Sequence, residues 1–141
     1  MKILFKAFLL LTLIVIITTN TKDPEFVEKF KPKYITKGFG SLPNKNSIVK
    51  LHYTTYLLPG DKKIDSSYDR RKLYKFQLNR DQAIPCWEEV IPKMQIGEKI
   101  YVICPSDLAY GKDGIQKVVP PNSDLGFEID IYDYENESGD L

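Results

Sequence analysis

The chain has 141 residues, with 20 Lys and Arg against 19 Asp and Glu, one histidine and two cysteines. So even a balance gives no electrostatic reason to seek nucleic acid, and the lone His52 excludes a histidine-rich zinc site. The length suits one domain able to bury a core without a metal or a dense disulfide framework.

At the start, Lys2 and Lys6 precede an apolar run over residues 7–17 broken only by Thr12, the pattern of a secretory signal peptide. A membrane-spanning helix needs about 20 apolar residues, and the polar Thr18, Thr19, Asn20 and Thr21 end this run early. Residues 1–21 are therefore expected to be a signal peptide cleaved between Thr18 and Thr21, with an uncleaved anchor as the alternative because no A-x-A site is present. Removing them leaves 18 basic against 19 acidic residues, a net charge of −1. Residues 22–34, beginning Lys22-Asp23-Pro24, read as a polar N-terminal extension. Residues 35–134 are expected to form the folded domain and 135–141 a polar acidic tail. Asn136-Glu137-Ser138 in that tail matches the N-glycosylation pattern. The final residues lack the lumenal retention signal, so the endoplasmic reticulum lumen and secretion stay equally open.

Residues 48–58 are rich in β-branched and aromatic side chains and stop at Pro59-Gly60-Asp61, which predicts a long strand running into a turn. Tyr74, Phe76 and Leu78 alternate with polar neighbours. Ile100, Val102 and Cys104 keep the same period, as do Leu125, Phe127, Ile129 and Ile131. Period two predicts half-buried antiparallel strands. Only residues 85–91 break it: Pro85 suits a first helical position, Trp87, Val90, Ile91 and Met94 recur at helical spacing, and Pro92 ends the helix. One short helix against an antiparallel sheet is an α+β fold, the sheet curving around the helix.

Chemistry read from the residues alone is sparse. Ser66-Ser67 lacks the glycine-flanked elbow of a nucleophilic serine. Gly38-Phe39-Gly40 is too short for a phosphate loop, and Cys86 and Cys104 do not form a C-x-x-C pair. An oxidising route would allow those two cysteines to join, while two buried thiols is the other reading. No cofactor or metal is expected.

The stretch LHYTTYLLPGDKKIDSSYDR at residues 51–70, with Ala109-Tyr110-Gly111 and Val119-Pro120-Pro121-Asn122, resembles the FKBP-type peptidyl-prolyl isomerases. The likeness runs over roughly residues 35–132, its segments in the family's order and spacing. It implies the FKBP fold and a small aromatic pocket for proline. By that resemblance Trp87 is the pocket floor, Tyr53, Tyr74, Phe127 and Val119 are walls, and Asp65 is a polar handle paired with Tyr53 and supported by Arg70. Tyr110 and the backbone N–H of Ile84, beside Ala83, are donors to the substrate. Tyr53, Asp65, Trp87, Tyr110 and Phe127 carry the catalytic role. Spacing alone leaves Trp87, Tyr53 and Phe127 as ordinary core aromatics.

Departures from the family pattern bear on the ligand. Ile64 stands where a pocket phenylalanine is usual, Tyr74 where phenylalanine is common, Ala83 where valine is common, Cys86 where glycine precedes the tryptophan, and Thr55 where glycine follows His-Tyr-Thr. Losing a ring at position 64 removes aromatic contact, so macrolides of the kind this family binds should bind more weakly. The resemblance implies an isomerase that assists folding of proline-containing polypeptides, working as a monomer in the secretory pathway and meeting a membrane only through an uncleaved leader. A noncatalytic FKBP-like binding or chaperone module is the alternative.

Overall fold

The computed structural model describes residues 23–135, and these fall into two compact units that divide after Lys31. The predicted leader and the Asn136-Glu137-Ser138 pattern lie outside the described residues. Within the first unit, α1 (Pro24–Phe30) occupies the stretch read above as a polar N-terminal extension. Its signals are local. Asp23 accepts from the Glu25 N–H at 3.1 Å, Pro24 takes the first turn, and Phe26 and Phe30, four apart, pack as tilted rings at 5.3 Å between centroids.

The second unit contains an antiparallel sheet of six strands: β1 (Lys33–Thr36), β2 (Ile48–Leu57), β3 (Lys62–Ser66), β4 (Tyr74–Gln77), β5 (Lys99–Cys104) and β6 (Leu125–Glu135). Its order is β1-β5-β6-β2-β3, with β4 sharing the β3 edge of β2. The helix α2 (Pro85–Val90) lies between β4 and β5 and runs into a 3-10 turn at Ile91–Lys93 that contains Pro92. The predicted α+β class holds, and three of the predicted strands match to within a residue at most ends. β1 begins two residues inside the stretch read as extension, and β6 continues through Glu135.

Alternation puts Val49, Leu51 and Tyr53 of β2, Ile100, Val102 and Cys104 of β5, and Phe127, Ile129 and Ile131 of β6 into one core. A register shift where Lys50-Leu51 of β2 meets Ile131-Asp133 of β6 then turns Tyr134 inward. Its hydroxyl donates to the carbonyls of Ile91, at 3.3 Å, and Met94, at 3.0 Å, which holds the end of the helical segment on the sheet. Cys86 and Cys104 form a disulfide with a Cα–Cα distance of 5.8 Å, so the first turn of α2 is tied covalently to the end of β5.

Candidate functional site

A cavity of about 660 Å³ opens between α2, the sheet and the loop that precedes β6. Trp87 is 5% exposed and forms its base. The rings of Tyr53, Phe127 and Tyr74 stand edge-on to the indole at centroid distances of 5.2, 5.4 and 5.8 Å. Such T-shaped packing is a favoured quadrupole arrangement and gives the cavity an aromatic lining. The indole N–H is buried without an acceptor among the described residues.

One wall depends on an irregularity in β3. Thr55 pairs with Asp65 and Tyr56 with Lys63, so Ile64 is an extra residue in the ladder. Adjacent residues of a regular strand point to opposite faces, yet Ile64 and Asp65 both line the cavity, because the bulge re-aims them. Ser66 and Ser67 pin this segment to β2. The Tyr53 N–H donates to Ser67 Oγ at 2.8 Å, and the Ser67 N–H donates to the Tyr53 carbonyl at 3.0 Å. Both serines are buried structural anchors.

Asp65, Tyr53 and Arg70 form a closed hydrogen-bonded triangle. The Tyr53 hydroxyl donates to Asp65 Oδ2 at 2.6 Å, Arg70 Nη2 donates to the Tyr53 hydroxyl at 2.6 Å, and Arg70 Nη1 donates to Asp65 Oδ1. Burial alone would push the Asp65 carboxyl upward, but the bonds from Tyr53 and Arg70 outweigh it and hold the group below its ordinary value. Tyr53 is pushed up to about 12, first by burial and then by its bond to Asp65. Tyr110 is also raised, by burial and then by Tyr74 and Asp65 nearby.

These directions predict a flat pH profile. A depressed carboxylate lends stability that is complete above its unfolded value near pH 4 and is lost as pH falls through the lower folded value. The raised tyrosines stay protonated, and no histidine lines the cavity. The stability that the triangle contributes should therefore be constant from about pH 5 to 9 and decline only below about pH 4. A loss of stability centred near neutrality, measured by chemical denaturation across pH, would contradict this.

Two donors remain uncommitted. The Tyr110 hydroxyl and the Ile84 N–H, which precedes the first turn of α2, have no acceptor among the described residues. The Tyr110 loop is braced from within. Gly111 N–H donates to Ser106 O at 2.7 Å, Asn122 N–H to Gly111 O at 2.8 Å, and Ile115 and Val119 exchange backbone bonds at 2.8 and 2.9 Å. Gly114 sits at φ +61° with the Val119 carbonyl against the space a Cβ would fill, which is why glycine is needed there.

The structure brings ten sequence-predicted residues into this one cavity: Tyr53, Ile64, Asp65, Tyr74, Ala83, Ile84, Trp87, Tyr110, Val119 and Phe127. Arg70 stands behind Asp65, outside the lining. Thr55, Asp81, Gln82, Ile115 and Val118 line the cavity as well and were not anticipated. Ile115 and Val118 carried a partial signal, as apolar residues beside Val119 in a loop rich in glycine and proline.

An antiparallel sheet, a short helix and an aromatic-lined cavity with two uncommitted donors have the chemistry to take a small apolar ring flanked by carbonyls. The profile of the FKBP-type peptidyl-prolyl cis-trans isomerases matches residues 40–132. An FK506-binding protein 5 from Rhizopus delemar is 42% identical over 99 residues, 70% of this chain and 26% of that protein's length. Peptidyl-prolyl cis-trans isomerase FKBP1A from Xenopus laevis is 40% identical over 98 residues, 69% of this chain and 90% of its own length. A solved peptidyl-prolyl cis-trans isomerase from Pseudomonas syringae superposes with a TM-score of 0.67 at 30% identity, covering 74% of each chain. The chain belongs to the FKBP-type peptidyl-prolyl cis-trans isomerase family.

Proposed function

We propose that this protein accelerates cis-trans isomerisation of X-Pro bonds in polypeptides of the secretory pathway, with the prolyl ring on Trp87 and between Tyr53 and Phe127. The observation that carries this reading is the cavity itself, where five side chains from positions 53 to 127 meet beside two uncommitted donors. Rotation about the X-Pro bond faces a barrier of about 18–20 kcal/mol because the planar amide loses resonance. No bond need be broken. The twisted amide is less polarised than the planar one, so a water-poor aromatic bowl favours it over the ground state. Tyr110 and the Ile84 N–H hold the flanking carbonyls, and the Asp65 triangle keeps Tyr53 upright as a wall. A thousandfold acceleration requires only about 4 kcal/mol of such preference.

Asp65→Ala should lower kcat/KM about tenfold, since removing one partner of a charged hydrogen bond costs about 1.5–3 kcal/mol and frees the Tyr53 ring. Isomerisation of a short X-Pro peptide measures it. Wild-type rates no higher than buffer would overturn the enzymatic reading and favour a noncatalytic FKBP-like module. That second reading draws on Ile64, which gives the wall no ring, and on Tyr74, whose hydroxyl approaches the Gln82 carbonyl at 3.4 Å. The same missing ring supports weakened macrolide binding.

A secretory location is supported by the charged and apolar leader at residues 1–21 and by the Cys86–Cys104 disulfide, which suits an oxidising compartment. The reading comprises leader removal, a short extension to about residue 34, a monomeric isomerase domain, and lumenal residence or secretion. Among the described residues no helix is long and apolar enough to cross a membrane. Mass measurement of the mature product tests leader removal.

A further inference from the structure

A second hollow of about 390 Å³ adjoins the prolyl cavity and shares Tyr74 with it. Its lining is Arg70, Lys72, Leu73, Tyr74 and Lys75, three cations and no carboxylate. Two of those cations are already engaged: Arg70 with Asp65, and Lys75 with Glu135 at 3.0 Å. Lys72 has no acidic partner among the described residues, and the nearby Asp69 is taken by Lys63 at 2.7 Å. The carboxylate of Asp81 lines the prolyl cavity and is absent from this hollow. A hollow lined by an uncompensated lysine together with Leu73 and Tyr74 suits a carboxylate on a short methylene stem.

We propose that this hollow is a subsite for an acidic side chain of the client polypeptide, within two residues of the isomerised proline, with Lys72 as its charge partner. The proposal rests on the prolyl cavity holding the proline. Each residue of extended chain advances about 3.3–3.6 Å, and Tyr74 lines both cavities, so a neighbour one or two residues from a proline on Trp87 has the reach to enter the adjoining hollow. Clients bearing Glu or Asp beside proline are then selected over neutral ones, chiefly through KM, because the pair acts on binding and not on the twisted amide.

The test uses the full chain and neutral X-Pro peptides in which Glu, Gln or Lys is placed at each of two positions before and after proline. KM is read from isomerisation, and Kd from the fluorescence of Trp87, the one tryptophan in the chain. At one position the Glu peptide should bind about threefold more tightly than its Gln counterpart at low salt, the size expected of an exposed ion pair, and the difference should fade as salt rises. Lys72→Glu should reverse the order, favouring Lys over Glu, while leaving the all-neutral peptide unchanged. Equal Glu and Gln affinities at all four positions, or a preference that survives Lys72→Glu, would overturn the subsite. Failure to turn over the neutral peptide speaks against the isomerase reading instead, and the fluorescence titration still decides the subsite.

Discussion

Replacing both cysteines, Cys86→Ala with Cys104→Ala, should lower the unfolding free energy by about 3 kcal/mol. The bond closes a loop with a sequence separation of 18 residues, and confining the unfolded chain over that length is worth about this much. For a domain near 100 residues the melting temperature should fall by at least about 12 °C, which calorimetry or circular dichroism measures. The consequence for the site follows from position. Ile84 places no side-chain cap on α2, which is only six residues long, so the disulfide is a covalent constraint on a turn, presenting the Ile84 N–H and Trp87, that lacks that cap. KM should therefore rise in the double variant at temperatures where it remains folded. Both cysteines are fully buried, so a reductant reaches the bond only through local opening, and reduction of the native protein should be slow.

Trp87→Ala should abolish detectable turnover and destabilise the fold by about 3–5 kcal/mol, the usual cost of truncating a buried aromatic. The indole contacts the rings of Tyr53, Tyr74, Phe76 and Phe127, so its removal deletes the cavity floor and the hub of the aromatic cluster together. Loss of that size approaches the whole stability of a small domain. Trp87→Phe separates the two effects. It keeps an aromatic base and should retain the fold, while the smaller ring raises KM and leaves a measurable kcat. Chemical denaturation and peptide isomerisation on the two variants distinguish a folding defect from loss of the site.

Much of the architecture was legible because period two survives in β2, β5 and β6, and because Pro85, Trp87 and Val90 mark a helix that Pro92 converts to a 3-10 turn. β3 was not legible, since its bulge at Ile64 destroys the alternation that identifies a strand. α1 was missed despite the Asp23 cap and Pro24, because the surrounding charged residues outweighed the Phe26 and Phe30 pair. The site is a different matter. Nothing local announces that residues 53, 65, 87, 110 and 127 meet, and only motif order carried them to one cavity. Thr55, Asp81, Gln82, Ile115 and Val118 escaped because their place in the lining depends on loop geometry and on which side of β2 the bulge leaves open. The fate of Cys86 and Cys104 was open for a similar reason, as pairing requires the 5.8 Å Cα separation that the packing of α2 on β5 provides.

The most direct measurement is exchange NMR on an X-Pro peptide mixed with substoichiometric full-length protein, reading the cis-trans rate and the contacts of the prolyl ring in one sample. Exchange should be accelerated at least about a hundredfold over buffer, with prolyl protons in contact with Trp87 and Phe127. An unaccelerated rate, with the bound proline away from the indole, would contradict it.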